Sequence, residues 1–223
     1  MAAGTLLDRE IQQDALDELD WDPEVEVTDV GVEVDDGVVT LTGTVDSYAK
    51  KYAAEQAVFR VDGVRAVAND IVVQPGGLGY RSDTEIAKAV ANALELDVDV
   101  PAEHLRVRVA NGAVTLQGEV AWYYQRVAAE DAVRKLPGVV SVLNLIEVAE
   151  QPVTPEELRK GIERAFLRNA AIDADAVQVE VDGGHVTLYG KVRSLAERRQ
   201  AEEVAWKGRG VTRVTNQIRV VLD

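Results

Sequence analysis

The feature that most constrains the fold of this chain is a fourteen-residue phrase that occurs three times. It reads VEVDDGVVTLTGTV at 32–45, VRVANGAVTLQGEV at 107–120 and VEVDGGHVTLYGKV at 179–192. The glycine of its VTLxG segment is Gly43, Gly118 and Gly190, so successive copies are 75 and 72 residues apart. Self-similarity at such a spacing indicates repeated folding units rather than one continuous core.

The register of the repeat extends well beyond the phrase. An apolar residue stands 32 positions before each of these glycines, another glycine stands 20 positions after it, and an asparagine follows six positions later. These positions are Ile11, Ile86 and Leu158; Gly63, Gly138 and Gly210; and Asn69, Asn144 and Asn216. Polar connectors rich in Gly or Pro lie at 74–81 and 149–157. We therefore predict three domains, at 1–74, 78–149 and 150–223.

Each copy begins with a pattern that predicts an amphipathic helix. Its apolar residues are four positions apart, which places them on one helical face. They are Ile11, Ala15 and Leu19; Ile86, Val90 and Leu94; and Leu158, Ile162 and Phe166. Capping boxes at Ser82–Glu85 and Thr154–Glu157 mark two of the helix starts, with Pro155 at the first helical position. In the first copy we expect Asp8 to be the cap.

The phrase itself has the pattern of a β-hairpin. Alternating apolar residues flank Asp36-Gly37, Asn111-Gly112 and Gly183-Gly184, which are pairs suited to a type I′ turn. Glycine inside the second strand indicates a bulge or a close approach by another segment, for which the following helix is the expected neighbour.

A second helix and a last strand complete each copy. The helix is expected to end at the second glycine, as a C′ residue. The order α-β-β-α-β predicts an α/β (α+β) fold with a three-stranded mixed sheet, a right-handed crossover and both helices on one face. Units of about 70 residues bury only a modest share of their surface, so we also expect docking between copies.

Charge and composition exclude several classes of function. The net charge is −15, from 39 acidic and 24 basic residues, which opposes binding to nucleic acid. The absence of cysteine excludes disulfides and thiolate sites. No apolar stretch reaches the ~18 residues of a membrane span. The first residues lack the pattern of a secretion signal, so we expect a cytoplasmic protein, or a periplasmic one if a signal has been removed.

The combined pattern resembles a known family. The order helix, VxVxxGxVTLxGxV, helix and GVxxVxNxI is similar to the BON domain, the bacterial OsmY and nodulation domain, in three tandem copies over essentially the whole chain. The resemblance implies an α/β sandwich without an active site or cofactor. It also implies a binding module for phospholipid or other proteins, in settings of envelope or osmotic stress.

Residues that recur or cluster have both structural and chemical interpretations. Glu55, Glu130 and Glu202 fit a solvated helix face, and the three asparagines fit hydrogen bonds to local backbone. Loop aspartates at 35–36, 97–99 and 173–175 fit turns, although a weak cation site remains an alternative. His104 and His185 are single histidines that fit surface or packing positions. We predict no catalytic, cofactor or metal residue.

The second copy departs from the others at the start of its second helix. Ser47 and Ser194 fit N-caps there, with a capping box from Ser194 to Glu197, whereas the second copy has Trp122, followed by Tyr123 and Tyr124. Three adjacent aromatics cannot all face one core, so these residues are our candidate contact for a protein or lipid partner, or for a second copy of the chain. The alternative is that Trp122 packs against a neighbouring copy. The sequence favours a non-enzymatic binding protein, with peripheral phospholipid binding and cation sensing as the alternatives.

Overall fold

The computed structural model describes residues 6–25, 30–76, 80–169 and 173–221. Residues 77–79 of the first predicted connector lie outside these ranges, and so do the first five residues of the chain. The chain divides into two compact units. The first comprises Met1–Thr44, Lys51–Val72 and Gln151–Asp223, and the second comprises Val45–Lys50 and Val73–Glu150.

Each repeat has the predicted order of elements. Repeat 1 consists of α1 (Leu6–Trp21), β1 (Val30–Asp35), β2 (Val38–Val45), α2 (Tyr48–Phe59), β3 (Ala66–Asn69) and β4 (Val72–Val73). Repeat 2 consists of α3 (Asp83–Leu96), β5 (Leu105–Ala110), β6 (Ala113–Val120), α4 (Tyr123–Arg134) and β7 (Ser141–Val148). Repeat 3 consists of α5 (Pro155–Arg168), β8 (Val177–Asp182), β9 (His185–Val192), α6 (Leu195–Trp206) and β10 (Arg213–Val220).

The strands pair in the same register in all three repeats. The two hairpin strands are antiparallel, with Val32 opposite Leu41, Val107 opposite Leu116 and Val179 opposite Leu188. The last strand is parallel to the second hairpin strand, with Asn69, Asn144 and Asn216 opposite those same leucines. The predicted mixed sheets are confirmed, except that in repeat 1 the last strand is interrupted between β3 and β4, both of which pair with β2.

The apolar stripe of each first helix forms the centre of a core. In repeat 2, Ile86, Val90 and Leu94 pack with Val114 and Leu116 of the sheet, and α4 contributes to the same cluster. Full burial of a side chain such as Leu116 stabilises the fold by about 1.5–3 kcal/mol. Both helices of repeat 2 therefore share one cluster with the inward-facing strand residues.

The predicted capping boxes are present at two helix starts. The Ser82 and Thr154 hydroxyls each accept the amide N–H of the glutamate three residues later, at 3.3 Å, and that glutamate accepts the amide N–H of its cap residue. The box predicted from Ser194 is only half formed. The Ser194 hydroxyl accepts from the Glu197 amide at 3.2 Å, but the Glu197 carboxylate accepts from the amide of Arg193 instead.

The hairpin turns agree with the prediction in two repeats. Asp36-Gly37 and Asn111-Gly112 have positive φ at both residues, as a type I′ turn requires. In repeat 3 only Gly183 has positive φ, so that turn has the type II′ pattern and the type I′ prediction is wrong there. A turn with glycine at both central positions is free to adopt either form.

The glycines inside the second hairpin strands mark a close approach, as predicted, but the neighbour is different. Gly118 has φ +137°, and a Cβ atom there would meet the carbonyl oxygen of His104, just before β5. Gly190 has φ +149° and faces the carbonyl of Ala176 in the same way. The approaching segment is therefore the chain that enters the first strand, and not the following helix.

The second helices end earlier than predicted. They end at Phe59, Arg134 and Trp206, four residues before Gly63, Gly138 and Gly210, which therefore do not occupy the C′ position. Each glycine lies in the turn that leads to the last strand, with φ between +81° and +93°. Glycine is therefore required at these positions by the positive φ of that turn, and not by the end of the helix.

Repeats 1 and 3 contact each other within the first unit, as the small size of the repeats predicts. The Arg199 guanidinium donates to the Tyr52 hydroxyl at 2.7 Å and to the Gln56 side chain, and it lies 5.8 Å from the centre of the Tyr52 ring. The Gly63 amide also donates to the Arg193 carbonyl at 3.0 Å. These contacts join α6 to α2, and the segment before α6 to the turn after α2.

Candidate functional site

The recurring asparagine binds the last strand to the second helix. In repeat 2 the Asn144 amide group donates to the Arg126 carbonyl at 2.9 Å and to the Glu130 carboxylate at 3.1 Å, and its oxygen accepts the Ile146 amide N–H at 3.2 Å. We call this arrangement the asparagine clip. The bond from Ile146 confirms the prediction that the asparagine binds local backbone, whereas the bonds to Arg126 and Glu130 were not predicted.

The clip is repeated in the other two copies. Asn216 donates to the Arg198 carbonyl at 2.9 Å and to Glu202 at 3.1 Å, and Asn69 donates to the Lys51 carbonyl at 3.2 Å. The prediction that the three glutamates form a solvated face is wrong, because each is half-buried. The sequence did contain a signal for this pairing, since glutamate and asparagine are 14 residues apart in every copy.

Burial of the clip affects the ionisation of Glu55. Desolvation raises the pKa of the Glu55 carboxyl above its ordinary value of 4.5, while the hydrogen bond from Asn69 and the charges of Lys51 and Arg199 partly oppose that rise. The Glu55 carboxylate accepts a hydrogen bond from Asn69 and lies near the charges of Lys51 and Arg199.

A basic side chain closes each clip from the helix side. Lys51 donates to the Ile71 carbonyl at 2.8 Å, and Arg198 donates to the Asn216 carbonyl at 3.0 Å. Arg126 donates to the Asn144 carbonyl at 3.4 Å. The Asn144 and Asn216 carbonyls lie on the last strand of their repeats, and the Ile71 carbonyl lies between β3 and β4.

A carboxylate in the first helix holds the hairpin turn in two repeats. Asp83 accepts the amide N–H groups of Asn111 and Gly112, both at 2.9 Å, and buried Asp8 accepts that of Gly37 at 3.0 Å. The prediction that Asp8 caps α1 is therefore wrong, because α1 begins at Leu6. Repeat 3 has Pro155 at the equivalent position and lacks this contact.

The other candidate polar residues serve turns and packing. Asp97 and Asp173 accept the amide N–H of the residue two positions later, at 2.9 and 3.1 Å, which is the expected turn chemistry. His104 is exposed, and His185 lies 2.8 Å from the Thr215 hydroxyl. Within the described ranges, no three His, Cys, Asp or Glu side chains are grouped so that they could hold a metal ion.

The aromatic residues of repeat 2 lie at the start of α4. Trp122 is the N-cap, with 37% of its surface exposed, Tyr124 is 54% exposed, and Val127 is 36% exposed. Tyr124 and Val127 are three residues apart in the helix and so are surface neighbours. Tyr123 is half-buried. We call Trp122, Tyr124 and Val127 the aromatic patch.

At the start of α4, one hydrogen bond of a capping box is present and the other is missing. The Trp122 amide donates to the Gln125 side chain at 3.0 Å, but the indole has no acceptor and makes no cap bond. In repeat 3, the buried Ser194 hydroxyl supplies that bond. Replacing serine by a residue that cannot cap costs about 0.5–2 kcal/mol, so serine at position 122 is expected to make this helix start more stable than tryptophan does.

Comparison with known sequences gives a consistent result. A model of the BON domain family matches residues 7–75, 82–150 and 155–221. The chain is 34% identical over 124 residues to Osmotically-inducible protein Y of Escherichia coli (strain K12), covering 54% of this chain and 62% of that protein. It is 30% identical over 156 residues to the 21 kDa hemolysin of Actinobacillus pleuropneumoniae, covering 67% of this chain and 80% of that protein.

Among solved structures, the chain is similar to the C-terminal domain of CdsD, the structural protein of the type III secretion system of Chlamydia trachomatis. The identity is 12%, the alignment covers 94% of this chain and 96% of that one, and the TM-score is 0.28. Within the part of the chain that the structure describes, no helix is long and apolar enough to cross a membrane.

Proposed function

Because the chain belongs to the BON domain family, we propose that it is a non-enzymatic binding protein whose second repeat contacts a protein partner through the aromatic patch. The observation that carries the proposal is the exposure of Trp122 at a position where serine would stabilise the helix. A large aromatic side chain that is both exposed and unfavourable for its own helix is typical of a residue kept for contact.

The polar residues that all three repeats share support a role without catalysis. The asparagine, its glutamate and the basic residue of each clip are bound to one another or to backbone groups. An active site needs polar groups that converge on a substrate. In this chain the polar groups that the repeats share bind one another and the protein's own backbone.

The side chains of the patch fit a protein partner better than a lipid surface. Trp and Tyr are enriched among residues that dominate protein interfaces. The net charge of −15 repels anionic headgroups. Tyr123 is half-buried beside the patch, and we include it as a contact of lesser exposure. The relative named for osmotic induction supports a role of this contact under osmotic stress.

The test compares Trp122→Ser with a matched control, Trp21→Ser, since Trp21 is also exposed but lies at the end of α1. Lysates of stressed and unstressed cells of the source organism would be passed over each immobilised protein. A partner should be retained by the wild type and by Trp21→Ser, and lost from Trp122→Ser. The affinity of the purified partner for Trp122→Ser should then be at least about tenfold weaker, or 1.4 kcal/mol.

Two further measurements make the result decisive. Thermal unfolding of Trp122→Ser should be unchanged or shifted upward, because serine caps the helix. A large loss of stability would show that Trp122 is a core residue and would overturn the proposal. Flotation with vesicles of graded anionic content tests the lipid alternative, and Trp122-dependent flotation without a protein partner would replace our proposal with membrane attachment.

A further inference from the structure

A cleft in the first unit is lined by three arginines and, among the described residues, by no carboxylate. It has a volume of about 640 Å³ and runs along β10. The three arginines are Arg65, Arg198 and Arg219, and Asn216 also lines the cleft. The concentration of positive charge is unexpected in a chain whose net charge is −15. We call this feature the arginine cleft.

The hydrogen-bonding capacity of these arginines is only partly used. Arg198 donates from Nη2 to the Asn216 carbonyl, and its Nη1 makes no hydrogen bond with any described residue. Arg65 pairs with Asp36 at 3.0 Å, where both side chains are largely exposed. Arg219 is exposed and makes no ion pair with any described residue.

A second observation, from the strand pairing, also indicates an excess of positive charge. Arg219 lies directly opposite Lys191 in the pairing of β10 with β9. Like charges at directly opposite positions destabilise a sheet. The equivalent pair in repeat 2 is Glu119 and Glu147, so the same place in the fold has the opposite charge in the two repeats. The cation pair is thus a property of repeat 3 and not of the fold.

We propose that the arginine cleft binds a small phosphate dianion, either inorganic phosphate or a small, water-soluble phosphate monoester. A guanidinium group donates two parallel hydrogen bonds that match a phosphate. A dianion at this place would receive donors from Arg198 and Arg219 and would neutralise the repulsion between Arg219 and Lys191. The site shares no residue with the aromatic patch, so it is independent of the proposed protein contact.

The binding of inorganic phosphate is measured by isothermal titration calorimetry, and the melting temperature is followed with phosphate and with chloride at equal ionic strength. Phosphate should raise the melting temperature of the intact chain, whereas chloride should give only the general effect of screening. Arg219→Gln should weaken phosphate binding at least about tenfold. Arg213→Gln is the matched control, because Arg213 is exposed on the same strand but does not line the cleft. Its affinity should stay within about twofold of the wild type.

The proposal would be overturned by equal responses to phosphate and chloride, or by equal losses in Arg219→Gln and Arg213→Gln. Arg219 is exposed, so its replacement should not unfold the chain, and circular dichroism checks this directly. Vesicles containing phosphatidic acid form the second arm. Arg219-dependent binding to these vesicles without binding of free phosphate would also overturn the proposal and assign the site to a headgroup.

Discussion

Repeats 2 and 3 share one backbone register but have different side chains at equivalent surface places. Trp122 stands where repeat 3 has Ser194, and the pair Glu119–Glu147 stands where repeat 3 has Lys191–Arg219. The positions that the two repeats share satisfy requirements of the backbone. The positions that differ are the candidates for contacts that only one repeat makes.

The largest effect is expected where the repeats agree, at the glycine inside the second hairpin strand. Gly118→Ala should destabilise the fold by about 2–4 kcal/mol, because alanine is strained at φ +137° and its Cβ would meet the His104 carbonyl. Gly190→Ala should cause a similar loss. Urea unfolding measures both.

A control glycine distinguishes strain from a general effect of added methyl groups. Gly161 lies inside α5 with open space around it, so Gly161→Ala should raise stability by about 0.5–1 kcal/mol. A mild effect of Gly118→Ala combined with a severe effect of Gly190→Ala would mean that the shared glycines do not have the same role in the two repeats.

The next effect concerns the helix start, where the repeats differ. Ser194→Ala should cost about 1 kcal/mol, since it removes the cap bond to Glu197 in a buried position. Trp122→Ser should instead raise the free energy of unfolding. Thermal unfolding of the two variants side by side tests this, and a loss in both would contradict the view that Trp122 is retained at the expense of its helix.

A smaller, pH-dependent effect is expected at the clip of repeat 1. Because burial raises the pKa of Glu55, the folded state favours the neutral carboxyl, and ionisation at neutral pH weakens the fold. Stability from this group therefore rises as the pH falls through the raised pKa. Glu55→Gln should be slightly more stable than the wild type near about pH 7, and the difference should disappear near about pH 4. Exposed Glu33→Gln is the control, and a gain that persists in acid would contradict this cause.

The sequence predicted the periodic parts of the molecule well and the long-range polar contacts poorly. The helical stripes, the hairpins and the shared register follow from residues such as Ile86 and Leu116, whose spacing reports which face is buried. The contact of Asp8 with Gly37 was missed, because a helix-start aspartate looks the same whether it caps its own helix or binds a turn 29 residues away. The arginine cleft was missed for the same reason, since Arg65 and Arg219 belong to different repeats and only the fold brings them together.

The smallest expected effect tests the charge difference between the repeats directly. Glu147→Arg gives repeat 2 the residue of repeat 3 and turns a like-charge pair with Glu119 into an opposite one. Stability should rise by about 0.2–1 kcal/mol at low salt, and the gain should shrink in high salt because both side chains are exposed. Glu147→Gln should give part of that gain, since it removes the repulsion without adding attraction.

The reciprocal variant, Arg219→Glu, places a carboxylate opposite Lys191 in repeat 3. It should stabilise the free chain by a similar amount, measured by urea unfolding in phosphate-free buffer, and it should abolish the response to phosphate. If the like-charge pairs had no role in binding, both variants would gain stability and the response to phosphate would stay unchanged. If phosphate binding is lost in Arg219→Glu but not in Glu147→Arg, the cation pair of repeat 3 lowers the stability of the free chain and binds the anion.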